Sequence, residues 1–237
     1  MSQPAMLARS AKASFSLVEV LISLSLSLVL LFVAGSFYAQ HYAAQEKQAE
    51  LLRLQARSHQ MINYFRQHIE NINFMAYRKY GKYNLDFFKL KNKTYYLAPN
   101  QSCLMFVYDL NSDGCIGEMA DTSRRSCLDS TESINAATNL TREIFGFKLE
   151  NQEIYIYSEK SREAKCKGAE CARKLQSCDN KWDQLTFKAD LIVDELKFDL
   201  DERKGFMKIK YQAHSPKDRE IAYGLETKIH ILNWGRE

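Results

Sequence analysis

The residue of this sequence that most needs a chemical reason is a carboxylate inside an apolar segment. Glu19 lies near the start of Phe15-Ser16-Leu17-Val18-Glu19-Val20-Leu21-Ile22, and between Glu19 and Glu46 the chain has no Asp, Glu, Lys or Arg. A bilayer core about 30 Å thick needs about 20 apolar residues to cross it, so the segment is long enough to span a membrane. An unpaired carboxylate there is expensive and is by default functional. The alternative is that Glu19 marks the membrane boundary and pairs with lipid headgroups. A signal peptide would place a small-residue cleavage site after the apolar core, as at Ala34-Gly35-Ser36, and would have no need of Glu19.

Two other groups have spacings that can do chemistry. The six cysteines are Cys103, Cys115, Cys127, Cys166, Cys171 and Cys178, all after the apolar segment. An even count on one side of a membrane segment points to disulfides in an oxidising compartment. Proximity favours pairs within 103/115/127 and within 166/171/178. Each group is odd, so full pairing needs at least one link between them. The spacings do not match the usual close zinc pairs, and no His is near. Asp109-x-Asn111-x-Asp113-Gly114 has the first half of a calcium loop, but the closing acid would fall at Ala120, with Glu118 and Asp121 displaced. The other reading is an Asn/Asp/Gly turn between strands. Calcium is the one cofactor candidate. The sequence contains no Gly-rich phosphate loop, no His-Glu-x-x-His and no nucleophile elbow, and His41, His59, His68, His214 and His230 are scattered, so no enzyme is expected.

These residues must be positioned by a small set of elements. The chain has 237 residues with 26% charged and a net charge of +4, a balance that implies no particular partner. Residues 1–14 form a polar leader with Arg9 and Lys12. No Pro or Gly occurs in residues 36–80, and residues 42–57 are rich in helix formers. Leu51, Leu54, Ser58, Met61, Phe65, Ile69 and Ile72 recur at steps of three or four, an amphipathic stripe interrupted by Ser58. One helix is therefore expected from Phe15 to about Asn71, about 85 Å long, with Gly35 the place for a bend. Beyond Gly81 the pattern turns to strands. Residues 103–108 read as a buried strand, residues 144–149 and 154–157 as a hairpin through Asn151-Gln152, residues 192–200 and 206–211 as strands flanking a turn that ends in Gly205, and residues 221–232 as a long final strand with Leu225, Thr227, Ile229 and Ile231 on one face. Residues 111–141 and 158–182 read as insertions whose disulfides replace a core. The fold class is α+β: a long N-terminal helix, membrane-spanning in its first half, packed on an antiparallel sheet head with disulfide-tied loops. The domains are leader 1–14, membrane helix 15–38, its periplasmic continuation 39–75 and head 76–237.

Phe15-Ser16-Leu17-Val18-Glu19 resembles the prepilin cleavage motif of type IV pilins and type II secretion pseudopilins. The resemblance covers about the first thirty residues. It implies cleavage between Ser14 and Phe15, N-methylation of Phe15, and pairing of Glu19 with the terminal amine of a neighbouring subunit. Arg9 and Lys12 match the basic cytoplasmic leader. The motif departs from the family at Ser14, where Gly is usual. Cys103-Leu-Met-Phe-Val-Tyr-Asp-Leu-Asn-Ser-Asp-Gly114 and Leu225-Glu-Thr-Lys-Ile-His-Ile-Leu-Asn233 resemble segments of the larger minor pilins of the PulJ/PilW-like group, which includes the proteins called prepilin peptidase-dependent.

This resemblance implies an inner-membrane protein with its head in the periplasm, later at a pilus or pseudopilus tip, helping to initiate or cap filament assembly. Its implied partners are prepilin peptidase, other minor and major pilins, the inner-membrane assembly platform and membrane lipid. The implied systems include competence-linked DNA uptake and type II secretion. The alternative is a periplasmic binding or adhesion module on a pilin-like stem, with Tyr77, Tyr80, Tyr83, Tyr95 and Tyr96 stacking on a ligand, single-stranded DNA included. Against that stands burial of these tyrosines in the head.

Overall fold

The computed structural model describes residues 16–77, 83–89, 91–119, 127–128, 135–157, 169–173, 175, 178–179 and 182–235. Helix α1 runs from Leu17 to Ile69 and is helical through Gly35. The chain divides into two units, Met1–Ala49 and Glu50–Glu237. In the first, every described side chain is exposed, large apolar ones such as Leu28, Leu31, Phe32 and Phe37 included. None of the described residues buries them, and the helix is long and apolar enough to cross a membrane.

The second unit is built on the last turns of α1. Leu54, Ser58, Ile62, Phe65 and Ile69 are buried, and Ile72 continues the row past the helix end. Their spacing holds one stripe on a helix of 3.6 residues per turn. This corrects the expected stripe at two positions: Leu51 and Met61 are only half-buried, and Ile62 takes the central place. Met61 lies about 100° round the helix from Ile62, which puts it on the flank of the core. Ser58 does not break the stripe. Its hydroxyl donates to Leu54 O at 2.7 Å and lies 3.5 Å from the Tyr211 hydroxyl, so a small polar residue fits where Tyr211 enters the core.

The strands are β1 (Tyr95–Leu97), β2 (Cys103–Val107), β3 (Glu118–Met119), β4 (Ala137–Thr138), β5 (Ile144–Glu150), β6 (Glu153–Tyr157), β7 (Trp182–Gln184), β8 (Ile192–Asp201), β9 (Phe206–His214) and β10 (Ala222–His230), with a short helix α2 (Ala169–Arg173). All pairings are antiparallel. Five strands form one sheet in the order β1-β2-β5-β6-β7, three form a second in the order β10-β9-β8, and β3 pairs with β4. The fold is α+β, as the sequence pattern requires.

The β5–β6 hairpin closes through Asn151 and Gln152, both at positive φ (50° and 65°). Two left-handed residues in a two-residue loop make a turn whose twist matches the strands. Asn accepts this conformation readily and Gln does not. Gln152→Gly is therefore expected to raise stability by about 0.5–1 kcal/mol, read as a higher denaturation midpoint with the register of Phe147 on Ile156 unchanged.

Strand β2 is buried along its whole length, the reason its sequence is an unbroken apolar run. Leu104 and Phe106 join the core against α1, while Cys103 and Met105 face the other way into a second core with Phe88, Ile116, Leu140 and Leu175. This corrects the reading of residues 111–141 and 158–182 as insertions without a core. Their described residues cover the outer face of the sheet, and Trp182 opens β7 rather than ending a loop. The outer face of β8–β10 carries paired charges, Lys210 with Glu195 at 2.7 Å and Lys208 with Glu226, as a solvated sheet face should.

Candidate functional site

The start of α1 holds the one carboxylate at the edge of the apolar segment. Ser16 sits at the helix N-cap: its hydroxyl accepts from Val18 N–H at 3.3 Å, and its own N–H donates to Glu19 Oε2 at 2.9 Å. Ser at the cap and Glu three residues on form a capping box, satisfying helix N–H groups that have no partner in the helix. The Glu19 carboxylate is thereby held at the positive end of the helix dipole, where negative charge is favoured. Ser14 and Phe15 lie outside the described residues. Ser23, Ser25, Ser27 and Ser36 return their hydroxyls to the carbonyls of Val20, Leu21, Ser23 and Val33 at 2.7–2.9 Å, so each serine donor in the apolar segment is satisfied by its own helix.

Asp109, Asn111 and Asp113 are brought together, and Glu143 joins them. The Asp109 carboxylate accepts from the N–H groups of Ala76, Asp113 and Gly114 at 3.0, 3.1 and 2.7 Å. Asn111 Oδ1 accepts from Asp113 N–H, and Asp113 Oδ1 from Cys115 N–H, both at 2.8 Å. Glu143 Oε1 accepts from Leu110 and Asn111 N–H, and its Oε2 from Gly117 N–H, at 2.6–3.0 Å. The two buried carboxylates thus bind the loop's own amides and hold it against the segment after α1 and the start of β5. Glu118 lies apart, paired with Arg142; Ala120 and Asp121 fall outside the described residues. Among the described residues, no three His, Cys, Asp or Glu side chains are grouped to hold a metal ion. The sequence pattern did not single out Glu143. Its signal is an acid placed immediately before an apolar strand, where a charge must find donors.

Burial pushes the Glu143 carboxyl up to about 7, against the opposing pull of the Asn111 and Gly117 N–H groups; burial likewise raises Asp109. A carboxyl raised in the folded state binds its proton more tightly there than in the unfolded chain. Its stabilisation is complete below about 4.5 and is lost as pH rises to about 7. The difference amounts to at most about 3 kcal/mol. Glu50, Glu195 and Glu202 are shifted down by their hydroxyl and lysine partners, so they act with opposite sign and below that window. Burial lowers His68, so its neutral form adds stability as pH rises toward 6.5, against the Glu143 trend. Relative to the parent, Glu143→Gln is therefore expected to gain stability as pH rises from 4.5 to 7, checked by denaturation midpoints of both proteins across the range.

Cys103 bonds Cys178 and Cys115 bonds Cys127; Cys171 is also disulfide-bonded, and Cys166 lies outside the described residues. The Cys103–Cys178 bond is the link between the two odd groups. Of the tyrosines, Tyr77 is exposed, Tyr83 is 39% exposed, Tyr95 and Tyr96 are half-buried, and Tyr80 lies outside the described residues. Tyr95 and Tyr96 pack against the two cores, in the direction of the burial reading, whereas Tyr77 and Tyr83 depart from it. His59, His68 and His214 are engaged singly, by Tyr223, Tyr108 and Asp194 at 2.7–2.9 Å.

The model of the family "prepilin peptidase-dependent protein B" matches residues 47–231. The chain belongs to this family. The match lies after the apolar segment, so it is independent of the Phe15–Glu19 motif that led to the same pilin-like class. The chain is also similar to an uncharacterised protein of Haemophilus influenzae, 28% identical over 201 residues, covering 78% of this chain and 81% of that protein. No solved structure matches.

Proposed function

We propose that the protein is a minor pilin or pseudopilin of the PulJ/PilW-like type, cleaved by prepilin peptidase between Ser14 and Phe15, that helps initiate or cap assembly of a type IV pilus or related filament. The observation that carries this reading is an exposed apolar helix opening on a capped carboxylate, in a chain whose head belongs to a prepilin peptidase-dependent family. Cleavage creates a cationic amine one residue ahead of Ser16, whose N–H Glu19 already accepts. A carboxylate presented at that depth can take the amine of an adjacent subunit, which relieves the expense of both charges in lipid. The apolar helix then packs among the helices of other pilins, and the head stands in the periplasm with its disulfides intact.

The test is the intact mass and N-terminal sequence of the protein from membranes, with and without prepilin peptidase. The expected product begins at N-methyl-Phe15 and forms only with the peptidase. Cleavage after the apolar segment, or none, would overturn the assignment and the filament role of Glu19. A second reading, a membrane-anchored adhesion or binding module on the same stem, is favoured by the exposed tyrosines; it predicts normal filament initiation when the protein is deleted.

A further inference from the structure

A cleft of about 630 Å³ opens where the segment after α1, β1 and the C-terminal residues meet the β8–β9 turn, and no step of filament assembly uses it. The volume is in the range of small-ligand sites. Its lining includes four aromatic rings, Phe74, Tyr83, Tyr95 and Trp234. Two of these rings are fixed by their polar ends to one residue. The Tyr95 hydroxyl donates to the Glu202 carboxylate, and Trp234 Nε1–H donates to Glu202 O at 2.7 Å. The Tyr95 and Trp234 ring centres are 5.8 Å apart and the planes are inclined by 44°. Gly205, at φ +65°, completes the mount, since a Cβ there would stand 2.7 Å from Trp234 Cβ. The polar tips are satisfied, and both rings remain half-exposed.

The cleft's polar groups are uncharged in sum. Lys89 pairs with Asp86 at 2.9 Å and Lys93 with Glu202, so each lysine is neutralised beside its carboxylate. Nucleic acid draws its affinity from unpaired cations that displace counterions from phosphates, and this cleft has few to offer. Asn92 and Asn233 stand on its rim, and their amides make no hydrogen bond with the described residues. An amide donates and accepts side by side, which matches vicinal hydroxyls. The apolar C–H face of a pyranose suits the electron-rich face of Tyr or Trp.

We propose that this cleft binds a neutral oligosaccharide, its sugar rings on Tyr95 and Trp234 and its hydroxyls on Asn92 and Asn233. The proposal is independent of processing at Phe15. It is tested by calorimetric titration of the full chain in a sugar-free detergent with chitotetraose, cellotetraose and maltotetraose, and separately with oligothymidylate at low salt. At least one tetrasaccharide is expected to bind, with oligothymidylate silent. Asn92→Gly, which keeps the left-handed backbone of Asn92 (φ 66°), combined with Asn233→Ala is expected to weaken binding about tenfold or more at an unchanged denaturation midpoint. Trp234→Ala is expected to abolish it; because that variant also loses a packed ring, the asparagine pair decides. Heat from no tetrasaccharide, binding undiminished in the asparagine variant, or binding of oligothymidylate alone would each overturn the proposal.

Discussion

Phe65→Ala is expected to destabilise the second unit by about 3–5 kcal/mol. Phe65 is fully buried on α1, its ring centre 4.6 Å from that of Phe147 on β5 and 5.9 Å from that of Phe198 on β8. Those two strands belong to different sheets, so one side chain fills the junction of the helix with both. Neither Phe147 nor Phe198 can close the gap, since each is held in its own ladder, and the cavity stays. The whole stability of a domain is about 5–15 kcal/mol, so the variant should be near the limit of folding. Phe65→Leu keeps most of the volume and is expected to cost about 1–2 kcal/mol. Denaturant titration of the full chain in micelles, read by near-ultraviolet circular dichroism, measures both. A loss below about 1 kcal/mol for the alanine variant would mean that the sheets meet without the helix.

Removing the Cys103–Cys178 bond is expected to cost about 4 kcal/mol, and removing Cys115–Cys127 about 3. The difference follows from loop length, since the bonds close separations of 75 and 12 residues. The longer bond also holds a packing arrangement. Cys178 O accepts from Trp182 Nε1–H at 2.9 Å, and the Trp182 ring lies over Gly146, where a Cβ would meet it at 2.9 Å. Freed of the bond, the segment before β7 can withdraw, uncovering Gly146 and Met105 of the second core. The paired alanine variant at 103 and 178 should show both a lower denaturation midpoint and a red-shifted tryptophan emission. The variant at 115 and 127 should show the first with little of the second. Equal losses in the two would refute this account of Cys103–Cys178.

Much of the architecture is legible along the chain because its causes are local. The long run without Pro and with the single Gly35 makes α1 a helix whatever surrounds it, and the absence of charge after Glu19 suits its first half to lipid. Asn151-Gln152 between two apolar runs makes a hairpin, and Cys-Leu-Met-Phe-Val makes a strand buried on both faces. Glu19 stood out because a carboxylate beside an apolar run has few bland explanations.

Other features depend on groups far apart in sequence. Met61 and Ile62 are equally apolar neighbours, and the contact with the two sheets decides which is buried. β1 and β7 are three residues each, too short for a periodic signal, and exist because β2 and β6 offer open edges. Glu143 became part of the Asp109 loop through N–H donors 26–33 residues away. The sequence by itself determined a helix with a lipid-suited first half, the strand hairpins and an odd-odd division of cysteines that requires a cross-link. Only the tertiary structure decided which cysteines join, that the outer segments form a second core, and that Tyr95 and Trp234 share a mount on Glu202. Local propensity acts through neighbours along the chain, whereas a buried contact between distant residues is chosen by shape and by the need to satisfy every enclosed polar group.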